Sequence, residues 1–224
     1  MNWLGSAKRS WIIFVAPSLS LLMVFTVVPI LAAALLSFYQ WNLLTPPEFV
    51  GLGNFRELAG DDGFWDSVLH TIVFIGGYVP VVTAAGLGLA TLLNRRSRAA
   101  GVSRILFFMP VVSAWVAVAL MWKWMLNPRF GIVNWGLGLV GIEGPAWLFE
   151  QSWAMVSIIA ASVWKDAGFV MILFLAGLQA ISPDYAEAAI VDGANRWQAF
   201  WRITFPLLTP TVFLVLVILL INSF

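Results

Sequence analysis

Apolar residues in this chain gather into long runs separated by short polar segments. Five runs, 11–38, 68–93, 105–126, 153–178 and 203–224, reach the about 20 residues that a helix rising about 1.5 Å per residue needs to cross a bilayer. The short alternating segments of an outer-membrane barrel are absent, so helices are the remaining way to satisfy the backbone in hydrocarbon. The pattern predicts an all-α integral membrane protein: one transmembrane domain over 1–224, a helical bundle of five spans. Lys8 and Arg9 precede the first run as in a signal peptide. No charge follows until Glu48, however, far beyond the roughly 7–15-residue core of a cleaved signal, so the run is read as a retained anchor.

Composition sharpens the class. Of 224 residues, 61% are hydrophobic and 10% charged, against about 25% charged in a soluble domain. A soluble enzyme, a disordered chain and a nucleic-acid binder are excluded. The net charge of +1 hides a strong asymmetry. Lys8, Arg9, Arg95, Arg96, Arg98, Arg104, Arg196 and Arg202 lie on one side of the predicted spans, Arg56 and Arg129 on the other, with Lys123 and Lys165 inside spans. Positive charge marks the cytoplasmic side, which predicts a cytoplasmic N-terminus and a multi-pass protein of a bacterial or archaeal cytoplasmic (inner) membrane.

Other residue types add less. There is no cysteine and one histidine, His70, which removes disulfides, thiolate sites and histidine metal clusters. Trp41, Trp65, Trp122, Trp124 and Trp153 sit near span ends, where amphipathic rings favour the headgroup zone. Lys123 and His70 are read the same way, as interfacial groups. Gly76, Gly77, Pro80, Gly86 and Gly88 fit close packing or a kink. The sequence has no phosphate-binding G-x-x-x-x-G-K-[ST] loop and no hydrolase or zinc-protease motif, so the chain itself is expected to carry no catalytic site and no metal.

The segment 182–210 stands apart. Ser182-Pro183-Asp184 reads as an N-cap, a proline at the first helical position and an acid in the first turn. Good helix formers follow to Val191, and Asp192-Gly193 signals a break, because glycine reaches positive φ without a Cβ clash. A second short helix is predicted with Trp197, Phe200, Trp201 and Thr204 on one face; Pro206 and Pro210 lead into the last span. Amphipathicity alone leaves an ordinary interfacial connector equally open.

The run Glu187-Ala188-Ala189-Ile190-Val191-Asp192-Gly193-Ala194, followed by Ile203, Pro206 and Pro210, resembles the EAA loop of binding-protein-dependent ABC importer permeases; Phe205 stands where the family has leucine. Val50-Gly51-Leu52-Gly53-Asn54-Phe55, the stretch from Arg104 to Pro110 and Leu175-Ala176-Gly177-Leu178-Gln179 resemble the carbohydrate-uptake branch, of maltose and glycerol-3-phosphate type. The resemblance implies a permease subunit of an ATP-driven importer that forms, with a second permease, the path for a sugar, polyol or sugar phosphate. It also implies two ABC ATPase subunits, which bind the ATP, and an extracytoplasmic solute-binding protein; no cofactor is expected on this chain. Glu187, Ala188, Ala189, Asp192, Gly193 and Ala194 become the candidates for coupling to the ATPases. The family's sixth core span is missing, which is expected of a C-terminally truncated product or a partial sequence. A secondary transporter or channel without ATPase partners is the alternative; the sequence lacks the repeats and ionisable rings that would favour it.

Lys165 and Asp166 lie mid-span, where each charge costs about 2.5–3.5 kcal/mol. As helix neighbours they point about 100° apart and are poorly placed to neutralise each other. At least one is expected to face a polar cavity, a partner subunit or an ion-pairing helix. By resemblance to the family region that lines the sugar path, Ser162, Lys165, Asp166 and Phe169 are candidates for solute contact, with Asn222 a weaker one.

Overall fold

The computed structural model describes residues 14–95 and 97–224, apart from the side chain of Ala186. Lys8, Arg9, the beginning of the first apolar run and Arg96 therefore lie outside the described residues. The chain divides into two compact units, Met1–Val68 and Leu69–Phe224, where the sequence pattern suggested one domain.

In the first unit, α1 (Phe14–Leu36) is long and apolar enough to span a membrane. It contains a π-helical turn, Met23–Val27, which ends two residues before Pro29. A proline offers no N–H to the ladder, and a widened turn is one way a helix absorbs that loss. No residue of the π turn or of the helix after it is buried, so the segment presents apolar side chains on every face. A two-stranded ribbon follows, β1 (Tyr39–Gln40) antiparallel to β2 (Glu48–Phe49), with Tyr39 opposite Phe49. The short helix α2 (Gly53–Ala59) is tied to the ribbon by Asn54, whose Nδ2 donates to Ser37 O at 2.9 Å and Tyr39 O at 3.0 Å.

The second unit is built around α7 (Gln151–Ala180), which buries Val170, Met171, Phe174, Leu175 and Leu178 along one side. Against these pack Tyr78, Val79, Val82 and Ala90 of α3 (Asp62–Leu93), a continuous helix that passes straight through Pro80. Leu208, Val215 and Leu219, in and just before α10 (Thr209–Ser223), complete the core. Close approach also holds α4 (Arg98–Val112) to α7. A Cβ on Gly168 would run into the backbone carbonyl of Phe107, so only a glycine lets the two helices meet there. At the end of α3 the Arg104 guanidinium donates through Nη2 to Leu93 O at 2.6 Å and Arg95 O at 3.2 Å, tying α4 to the carbonyls there.

Two predicted spans are not single helices. The stretch 105–126 is divided between α4 and α5 (Trp115–Met125), bent by 99°; the last is divided between α9 (Arg196–Leu207) and α10, bent by 64°. The reasons differ. Pro206 and Pro210 flank the second bend, and a proline restricts the residue before it. At the first, Ser113 and Ala114 take extended ψ angles of 139° and 137°. Only Pro110 hints at that corner in the sequence, because what holds it open comes from another helix. Among the described residues, three helices are long and apolar enough to cross a membrane, and up to five if each bent pair counts as one span. The segment between α5 and α7 carries α6 (Ile132–Leu139); Asn134 in it accepts from Trp147 Nε1 at 2.6 Å and donates to Pro145 O at 3.2 Å.

Candidate functional site

The corner between α4 and α5 exposes carbonyls that have lost their helical partners. In hydrocarbon no water can replace those partners. Lys165, from the middle of α7, supplies them. Its Nζ donates to Val111 O at 3.0 Å, Ser113 O at 3.1 Å and Pro110 O at 3.3 Å. An ammonium has three donors, and three acceptors take them. The end of a helix also carries partial negative charge, which a cation neutralises. The ring of Trp115 lies 4.9 Å from Nζ and adds a cation–π contact. Lys165 is 4% exposed, a buried charge whose hydrogen bonds all go to main-chain carbonyls.

Asp166 turns a different way. Its Oδ2 accepts from the Tyr78 hydroxyl at 2.8 Å, and Phe74 stacks on the Tyr78 ring with centroids 5.1 Å apart and planes 11° from parallel. The adjacent charges thus serve separate helices, the lysine α4 and the aspartate α3. Both side chains line one cavity.

That cavity, about 510 Å³, is lined by α3, the α4–α5 corner, α7 and α10. All five residues singled out for solute contact line it: Ser162, Lys165, Asp166, Phe169 and Asn222. Their standing within it is unequal. Asp166 and Phe169 are half-buried and Asn222 is exposed, whereas Ser162 is buried and Lys165 has its donors committed to the corner. Sequence reasoning missed Tyr78, Ser113 and Trp115. Tyr78 carries a retrospective signal, being the one tyrosine inside a predicted span. Ser113 and Trp115 reach the cavity only because the helix breaks between them. The lining pairs a carboxylate and hydroxyls with aromatic faces, a combination suited to hydroxyl-rich molecules.

At the other end of α7 lies the 182–210 segment. Helix α8 (Pro183–Val191) begins as the sequence predicts: Ser182 is the N-cap, its Oγ accepting from Asp184 N at 3.4 Å, with Pro183 at the first helical position. It ends on Gly193 at φ +90°. Gly193 N donates to Ile190 O at 3.0 Å and Ala194 N to Ala189 O at 2.9 Å, the paired bonds of a Schellman closure. One residue later Asn195 and Gln198 form a capping box that starts α9. The second helix departs from its predicted regular face, because Phe200–Thr204 is a π-helical stretch.

Of the coupling candidates, Glu187, Ala188, Asp192 and Gly193 are exposed and Ala194 half-buried. Ala189 is 7% exposed and faces inward, contributing its carbonyl to the closure rather than a surface. Tyr185, Ile190, Val191 and Trp197 stand out into solvent, Val191 at 86% exposure. Lys123, in the last turn of α5, and His70 are both exposed.

Residues 58–224 match the family described as binding-protein-dependent transport system inner membrane component. The chain belongs to this family. Among relatives it is 38% identical over 214 residues to the probable ABC transporter permease protein YesP of Bacillus subtilis, covering 94% of this chain and 69% of that one. With the trehalose/maltose transport system permease protein MalF of Thermococcus litoralis it shares 34% identity over 94% of this chain and 72% of that one. A solved bacterial alginate ABC transporter, in complex with alginate pentasaccharide-bound periplasmic protein, superposes with a TM-score of 0.83 at 26% identity, covering 98% of this chain and 74% of that chain. The protein is a permease subunit of an ABC importer, a non-enzymatic family, which removes the secondary-transporter and channel alternative.

Proposed function

We propose that this permease contributes one half of a carbohydrate path, completed by a second permease, and that the cavity around Asp166 is where solute passes. The observation that carries this reading is the convergence of Asp166, Tyr78, Phe169 and Asn222, from three helices, on one space of about 510 Å³. The names of relatives that import trehalose/maltose and alginate support the solute class. In this reading the exposed loop formed by α8 and α9 docks an ABC ATPase on the cytoplasmic side, through Glu187, Ala188, Asp192 and Gly193 with the apolar side chains beside them. Exposed apolar clusters rimmed by polar groups are the usual mark of a protein contact. ATP is bound and hydrolysed on two such ATPase subunits, and an extracytoplasmic binding protein delivers the solute. The charge asymmetry of the loops supports a cytoplasmic N-terminus.

Uptake into proteoliposomes by the assembled importer tests the assignment. Asp166→Ala is expected to reduce solute uptake at least about tenfold, the effect of removing a charge-assisted hydrogen bond, while assembly and basal ATP hydrolysis persist. Loss of assembly with unchanged uptake by the assembled fraction would make Asp166 a structural group instead. Single cysteines at Ser97 and Asp62 should react with an impermeant reagent from opposite sides; reaction of both from outside overturns the orientation.

A further inference from the structure

The relatives named above import both neutral and acidic carbohydrates, so family membership leaves the solute's charge open. Among the described residues, two charged side chains line the cavity, Lys165 and Asp166. They are not equivalent. Each Lys165 proton is committed to a carbonyl of the corner, and Trp115 lies against its ammonium. A carboxylate or phosphate could take a bond from Lys165 only by displacing one of those carbonyls. Asp166 engages one hydroxyl through Oδ2, whereas a carboxylate can accept about four hydrogen bonds. The other polar side chains of the lining, Tyr78, Ser113, Ser162 and Asn222, are uncharged.

We infer that the solute is an uncharged polyol or oligosaccharide whose hydroxyls donate to Asp166. Lys165 is then a positioning residue: it holds the α4–α5 corner that shapes the cavity, and it is no anion ligand. An anionic sugar entering this space meets a carboxylate while the only cation beside it is turned to the backbone, a like-charge juxtaposition of the kind that excludes wrong partners. The inference rests on the carbohydrate reading and narrows it to neutral members.

The test is equilibrium binding to the assembled permease complex in nanodiscs without the binding protein, whose own selectivity would otherwise dominate. The probes are radiolabelled neutral mono-, di- and trisaccharides and the aldonate and phosphate of each. The neutral probes are expected to bind at least about tenfold more tightly than their anionic counterparts. Asp166→Asn should narrow that gap, since the repulsion disappears while an acceptor remains. Lys165→Gln should weaken neutral binding and Lys165→Arg should recover part of it, because an arginine can still donate to the corner. The two probe classes on the unmodified complex decide the matter even where a variant does not assemble. Anionic probes that bind as tightly as neutral ones, and lose that binding selectively in Lys165→Gln, overturn the inference and leave the carbohydrate reading standing. Binding of neither class overturns both.

Discussion

The cavity and the α8–α9 loop are both places where a helix stops, and they stop by opposite means. The loop closes on itself. Ser182, Gly193, Asn195 and Gln198 satisfy its ends with partners two to five residues away. The corner at Ser113 closes on Lys165, 52 residues on, and the carboxylate beside that lysine on Tyr78, 88 residues back. If the loop docks an ATPase as proposed, it gains from being a stiff local unit, with its apolar side chains left outside. The proposed solute cavity, enclosed by several helices, gains from bonds that run between them. The difference teaches that a charge inside this membrane domain is structural or solute-facing according to whether its donors are spent, which no position in the sequence reveals.

The largest effect is expected from breaking the long-range side. Lys165→Met takes the ammonium away from three carbonyls; Pro110 O keeps its bond from Ser113 N at 3.2 Å, and Val111 O and Ser113 O lose their partner, at about 1–3 kcal/mol each. The thermal unfolding midpoint of the reconstituted complex should fall well below that of the parent, and cross-links between cysteines placed in α4 and α7 should lose their specificity. Unchanged stability would mean that the corner does not depend on the ammonium.

Tyr78→Phe should act next in size. It removes one hydrogen bond to a charged group, about 1.5–3 kcal/mol, and leaves the stacking with Phe74 in place. Uptake is expected to weaken with little change in assembly, and a stability loss as large as that of Lys165→Met would merge the two roles that the structure separates.

The smallest effect on stability, and the sharpest on coupling, belongs to the loop. Gly193→Val forces a branched side chain to φ +90°, at a cost on the order of 1–2 kcal/mol. It should leave insertion and the cavity intact while ATP hydrolysis stops driving uptake. Glu187→Lys, which disturbs no bond within the loop, should impair coupling with no change in thermal stability. Tight coupling retained in both variants would show that the loop is a connector and not a contact.

Local chemistry made the loop readable in advance: caps, a proline and a glycine act through neighbours, so Ser182, Pro183 and Gly193 announce their geometry wherever they occur in this order. Hydrophobic run length likewise announced the helices, because a bilayer demands about 20 apolar residues regardless of what packs against them. The π stretch at Phe200–Thr204 was hidden, since it interrupts a periodicity without changing composition.

What the chain alone determined, then, was its class, its helical content, the family it belongs to and the architecture of the α8–α9 loop. All of these rest on composition, run length, short motifs and bonds between near neighbours. Tertiary structure decided that 105–126 bends by 99°, that Ala189 faces inward, that Tyr78 joins the cavity and that Lys165 serves the backbone while Asp166 serves the space. Two charges side by side in sequence carry no sign of which partner each will find. That is settled only when helices far apart along the chain are packed close enough for one to spend its donors on the carbonyls another has left unpaired.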